Sequence, residues 1–170
     1  MKDIELSVKK AAVFNTVAMM ASYEGAKNQT TENDSYNRLS ISRQEEEELV
    51  PFWNEACGSI LSACSDYIKS SSFTGDLDIV LSIPDNFKEE VKGSIEENMA
   101  SFLSRFIAGR WISLSDQEKG GTYTGSASGY LDDVRSLMYE RQFSKRPEPK
   151  RPEVRVPKHI IHSFDEVTII

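Results

Sequence analysis

Apolar residues recur at steps of three and four over most of the first 143 positions, and at steps of two in one short segment. The first period belongs to amphipathic helices and the second to strands. Val8, Ala11, Ala12, Val17, Ala18 and Ala21, with Phe14 offset, predict a first helix over residues 7–22. Gly25 and the polar run Asn28 to Ser35 predict a loop after it. Ser42-Arg43-Gln44-Glu45 has the form of a capping box, with the Glu45 carboxylate placed to reach back to the Ser42 amide. Glu45 to Glu48 then sit where the helix dipole favours negative charge. Leu49, Trp53, Cys57, Ile60, Cys64, Tyr67 and Ile68 trace one stripe over five turns, and the helix is expected to fade at Ser70-Ser71-Ser72. Pro51 lies inside that stripe and predicts a kink or short break near Val50.

The alternating segment is Asp76 to Ile83. Leu77, Ile79, Leu81 and Ile83 fall on one side, and Asp78, Val80 and Ser82 on the other, the signature of a half-buried strand. A single strand needs a partner, and the candidates are Asp3–Leu6, Glu166–Ile170 or another subunit. After Pro84-Asp85-Asn86 a third helix carries Phe87, Val91, Ile95, Met99, Phe102 and Phe106 and ends near Trp111. Ser115-Asp116-Gln117-Glu118 is a second capping box and opens a fourth helix through about Gln142, with Tyr130, Val134, Leu137 and Met138 on its apolar face.

Gly121, Gly125 and Gly129 repeat every fourth residue of that last helix and so share a face. Each glycine costs about 1 kcal/mol of helix propensity relative to alanine. Close approach of another backbone would offset that cost and is preferred here over a partly unwound segment 120–129. The spacing is best known from membrane helices, but this segment is too polar to span a bilayer.

Residues 144–170 follow different rules. Pro147, Pro149, Pro152 and Pro157 fix φ and remove backbone donors, so the stretch favours an extended, polyproline-like path. Lys145, Arg146, Lys150, Arg151, Arg155 and Lys158 against Glu148 and Glu153 give residues 144–158 a net charge of +4. The preceding 143 residues hold 14 basic and 23 acidic side chains, a net of −9. The expected architecture is mainly α: a four-helix body with a short β element (residues 1–143) and an extended, basic, proline-rich C-terminal arm (residues 144–170). The arm closes on Ile160, Ile161, Phe164, Val167 and Ile169, apolar side chains suited to contact with another surface. With the glycine face and the arm cations Lys145, Arg146, Lys150, Arg151 and Arg155, these are the expected protein-interface residues.

At 170 residues the chain fits one domain and can bury roughly two-thirds of its unfolded surface. A net charge of −7 argues against general nucleic-acid binding by the body. Incidental phosphate contact by the basic arm is the exception, and docking of a proline-rich arm on protein is preferred to it. The first 22 residues lack a signal-peptide core and no 18-residue apolar run exists, so the expectation is cytoplasmic synthesis without membrane insertion. Cys57 and Cys64 are seven residues apart on a helical pattern, about 10 Å along the axis and too far for a disulfide, so they read as small buried apolar residues.

Catalytic chemistry finds little support. The two histidines, His159 and His162, both lie in the arm, away from the cysteines, and make neither a zinc site nor a nucleophile–base pair. Asp132 and Asp133 are adjacent and diverge on a helix, which suits a solvated face. Gly120-Gly121 and Gly125 lack the strand–turn–helix setting and the lysine of a phosphate loop. The expectation is no enzyme, no cofactor and no metal.

Three segments in order carry a resemblance: SYEGAK (Ser22–Lys27); SISRQEEEELVPFWNEACGSI (Ser40–Ile60); and SIEENMASFLSRFIAGRW (Ser94–Trp111) leading to YLDDVRSLMYER (Tyr130–Arg141). Their order resembles small virion proteins of tailed bacteriophages that infect gut bacteria and, in outline, the head–tail connector or adaptor family. That resemblance implies a small α-helical structural subunit, made in the host cytoplasm, that forms a homo-oligomeric ring in the neck of the virion. Its partners would be portal and tail proteins, and its loops and tails would clasp neighbours. The alternative is a small cellular helical module that binds or regulates another protein.

Overall fold

A computed structural model describes residues 1–27, 39–42 and 45–140. Its described part is mainly α, with four helices and a small antiparallel sheet. Strand β1 (Lys2–Val8) leads into helix α1 (Lys10–Lys27), and helix α2 (Val50–Ala63) follows. Strands β2 (Ile68–Ser72) and β3 (Leu77–Ile83) form a hairpin, and helices α3 (Lys92–Ser113) and α4 (Gln117–Met138) complete the body. The expected arm, residues 144–170, lies outside the described residues.

The alternation in residues 76–83 produces the central strand. Leu77, Ile79, Leu81 and Ile83 are all buried. Of the candidate partners, the N-terminal one is used: β1 pairs with β3 in full antiparallel register, from Lys2 opposite Ile83 to Val8 opposite Leu77. Ile4, Leu6 and Val8 therefore extend the apolar layer of Leu81, Ile79 and Leu77, while Asp3, Glu5 and Ser7 share the other face with Ser82, Val80 and Asp78. One buried and one solvated face are normal for a small antiparallel sheet. The strand order is β1-β3-β2.

Several helix boundaries differ from the sequence pattern: Phe87 and Val91 precede α3, which starts at Lys92 after a 3-10 turn over Glu89–Val91, and α4 ends at Met138, short of Gln142; at α1 and α2 the reasons are visible. Val8 belongs to β1, and α1 starts at Lys10, where the Asp76 carboxylate in the β2–β3 turn accepts from the Lys10 amide at 2.9 Å. A cap supplied from 66 residues away leaves no local capping signal. The buried side of α1 is Val13, Phe14, Val17 and Ala21, whereas Ala11 and Ala12 are exposed; the helix runs through Gly25 to Lys27, past the expected loop start. The α2 stripe also stops early. The helix ends at Ala63, the chain turns through Ser65–Tyr67, and Ile68–Ser72 becomes strand β2 where a fading helix was expected. Hydrogen bonding to β3 overrides the helical spacing of Tyr67 and Ile68.

The Pro51 expectation holds: a 3-10 turn spans Glu45–Leu49 and the α-helix begins at Val50, so proline occupies the first turn, where its missing amide is harmless. Half of the Ser42–Glu45 box forms: the Glu45 carboxylate accepts from the Ser42 amide at 2.7 Å, while the Glu45 amide donates to the Ser42 carbonyl at 3.0 Å. At α4 the cap is Asp116, not Ser115, and it accepts from the Lys119 amide at 3.1 Å.

Helix α3 is the hub and lies against α1, α2, α4 and β1. Ile95, Met99, Phe102, Leu103, Ile107, Ala108, Trp111 and Ile112 are all buried along it. Trp53 of α2 is fully buried, donates from Nε1 to the Phe73 carbonyl at 2.9 Å and meets the Phe14 ring edge-on at 6.0 Å. Trp111 likewise donates to the Leu39 carbonyl at 3.0 Å, so both indoles combine a large apolar contact with a satisfied polar atom.

Candidate assembly surface

The expected glycine face resolves into two different objects. Helix α4 is continuous through residues 120–129, so the unwound alternative is excluded. Yet Gly121, Gly125 and Gly129 are exposed, and a Cβ added at any of them would meet nothing within 4 Å. The close backbone approach within the subunit lies one face away, at Gly109 of α3 and Gly120 of α4. A Cβ on Gly120 would stand 2.5 Å from the Gly109 carbonyl oxygen, and one on Gly109 would stand 2.8 Å from the Gly120 carbonyl oxygen. Within the subunit, the close contact pairs one glycine from each helix beside the Leu114–Asp116 turn, and the four-residue repeat lies on the outer face of α4.

The exposed side of α4 is smooth. Thr122, Ser126 and Ser128 donate back to the helix's own Glu118, Tyr123 and Gly125 carbonyls at 3.1, 2.8 and 2.7 Å. The surface there is small-residued and its hydroxyls are occupied. The other expected interface residues (Lys145, Arg146, Lys150, Arg151, Arg155, Ile160, Ile161, Phe164, Val167 and Ile169) lie outside the described residues.

A second surface was not anticipated from the sequence: the outer edge of β2. Among the described residues no strand pairs with that edge. Lys69, Ser70, Ser71 and Ser72 are exposed. The register with β3 slips between Ile68 and Ser70, so a bulge surrounds Lys69. Bulges and edge lysines are common protections against edge pairing. Here the Lys69 ammonium reaches across the sheet face to the Asp3 carboxylate of the opposite outer strand at 2.5 Å, which turns it away from the edge. The serine run gave no strand signal, because serine favours turns over strands.

The end of the described chain lies close by. Tyr139, the residue after α4 and 59% exposed, meets the Tyr67 ring at 5.8 Å, and Tyr67 immediately precedes β2.

An open groove of about 500 Å³ separates α1 from the Glu45–Leu49 turn and the β2–β3 turn, lined by Lys10, Ala11, Phe14, Glu46, Glu47, Val50, Gly75 and Asp76. The Lys10 ammonium lies 5.4 Å from the Phe14 ring centre and 5.5 Å from that of Trp53. Asp76 is held below its ordinary pKa by the Lys9 hydrogen bond and then by the Lys10 amide. These contacts tie the groove walls together. Three carboxylates beside one lysine present mainly negative charge and no nucleophile–base pair.

Burial pushes the Cys57 thiol up to about 12 and the Cys64 thiol up to about 11, and both are free. Such thiols are unreactive, packing residues. Between α1 and α4, the Tyr123 hydroxyl donates to the buried Glu24 carboxylate at 3.0 Å, and burial followed by this bond raises the tyrosine pKa. Among the described residues no group of three or more His, Cys, Asp or Glu side chains is arranged to hold a metal ion. No helix among them is long and apolar enough to cross a membrane. Comparison with family models, with curated proteins and with solved structures gave no match.

Proposed function

We infer that this protein is a structural assembly subunit, and specifically a ring-forming connector between portal and tail in the neck of a tailed-phage virion. The observation that carries the reading is the division of the chain into an acidic folded body and a basic, proline-rich arm. Residues 1–143 sum to −9 and residues 144–158 to +4. Copies with opposite charge on body and arm attract one another, and complementary charge steers encounter as well as fixing orientation. Prolines lower the ordering entropy that an arm loses on docking. The exposed, small-residued face of α4 offers a helix surface on which a neighbour's backbone can approach closely. The order of segments resembling connector proteins adds the location.

The experiment has two parts. Negative-stain electron microscopy of the purified full chain should show closed rings with a central opening, and antibody labelling of intact particles should place the protein at the junction of head and tail. Labelling of no virion component, with monomers only on the grid, would favour a cellular binding module and end this reading.

A further inference from the structure

We propose that the outer edge of β2 is a docking site for the Glu166–Ile170 segment of a second copy of this chain, which adds there as a fourth strand. It deepens the self-association inferred above and requires only that two copies meet. The edge is available: β2 has no strand neighbour on that side among the described residues, and its lysine is turned across the sheet to Asp3. Strand addition satisfies free backbone donors and acceptors and takes its specificity from alternate side chains.

The chemistry of the segment matches the edge. Glu166-Val167-Thr168-Ile169-Ile170 is five residues long, as β2 is, and β-branched at four positions, the composition that favours strands. On β2 the residues opposite buried Leu81 and Ile79 are Ile68 and Ser71, so these two face the core side. Ser71 is small and exposed at the rim of that layer. Val167 and Ile169 share one face of an extended strand; laid beside β2 with that face inward, they would continue the apolar layer beyond Ser71.

The length of chain beyond Glu140 suffices to reach a neighbour. The described chain ends beside the start of β2, since Tyr139 contacts Tyr67. A polyproline path over residues 144–158 advances about 47 Å, whereas β2 itself is only about 17 Å long. Such a path would be long enough to carry Glu166–Ile170 from the end of α4 to the β2 edge of another subunit.

The test is site-directed crosslinking in the full chain. Ser70→Cys, Ser71→Cys and Ser72→Cys are each mixed with a separate Thr168→Cys chain and oxidised; Ser94→Cys, exposed on α3, serves as the control. The native cysteines do not interfere, being 0% and 1% exposed. At least one β2 variant should give a disulfide-linked dimer several-fold above the Ser94→Cys control and above either chain alone. Equal yields from the control, or none at any β2 position, would overturn the proposal. So would a crosslink confined within single chains that carry both Ser70→Cys and Thr168→Cys, whose side chains would share the solvated face. Closed rings without these crosslinks leave the ring reading standing and remove the edge contact. Crosslinked pairs that never close into rings do the reverse.

Discussion

Replacing Gly120 by alanine should destabilise the body, while the same change at Gly125 should stabilise it, although both glycines lie in one helix. At Gly120 the new methyl would sit 2.5 Å from the Gly109 carbonyl oxygen and 2.6 Å from the Ser113 amide nitrogen. Ordinary contact begins near 3.4 Å, so the two helix backbones must separate by most of an ångström. Overpacking of this kind costs about 1–3 kcal/mol, and more when backbone moves. The helix-propensity gain of about 1 kcal/mol offsets only part of it. At Gly125 the methyl enters open solvent, and only that gain of about 1 kcal/mol remains. At about 2–4 °C per kcal/mol for a body of this size, Gly120→Ala should lower Tm by several degrees and Gly125→Ala should raise it slightly. Gly109→Ala should behave like Gly120→Ala, because it strikes the same contact from the other helix. Thermal unfolding followed by circular dichroism reads all three. A Gly120→Ala protein as stable as the parent would refute the close crossing of α3 and α4, and a destabilised Gly125→Ala would refute the open face.

Two further outcomes follow from the interior and from the exposed carboxylates. Cys57 and Cys64, with thiols pushed up to about 12 and about 11 by burial, should resist a thiol reagent at pH 8 in the folded protein and react together once it unfolds; rapid labelling of the native state would contradict the buried placement. Asp76, Glu45, Glu89 and Asp116 are each held below their ordinary pKa, by Lys9, the Ser42 amide, Lys2 and the Lys119 amide respectively. A carboxylate with a lowered folded pKa stabilises the fold above its unfolded pKa and loses that contribution as pH falls through the folded value. Tm should therefore drop as pH falls below about 4, and Asp76→Asn, which loses both the Lys9 pair and the charged cap on α1, should start lower at pH 7 and fall less. Parallel Tm–pH curves for parent and variant would rule out that role for Asp76.

Sequence periodicity was informative where burial and local bonding agree. The β3 alternation, the α3 stripe from Ile95 to Phe102, the Glu45 carboxylate's bond back to the Ser42 amide and the Pro51 boundary are all settled within a few residues of the chain, and each appears in the structure as expected. It misled where a distant partner decides. Helix α1 is capped by Asp76 from the β2–β3 turn, so its start carried no local mark and Val8 passed for a helical residue. Strand β2 exists because β3 offers it a ladder, while its own Ser70-Ser71-Ser72 reads as a helix end. The glycine repeat was legible as a shared face, but sequence spacing cannot say whether the subunit covers that face. Gly109 and Gly120 carry the close crossing from different helices, a pairing that no single-helix periodicity reveals. For the candidate surface, the basic arm was visible from composition alone, whereas the open edge of β2 required the strand order.

The central claim is that copies of this chain hold one another through residues 144–170. The direct measurement is the mass in solution of the full chain and of a chain lacking those residues, side by side at micromolar concentration and physiological salt. The full chain should appear as a closed oligomer at a fixed multiple of 19.2 kDa, and the truncated chain should remain folded, with Tm little changed, but run as a monomer. A monomeric full-length protein, or a truncated protein that assembles equally well, would contradict the claim.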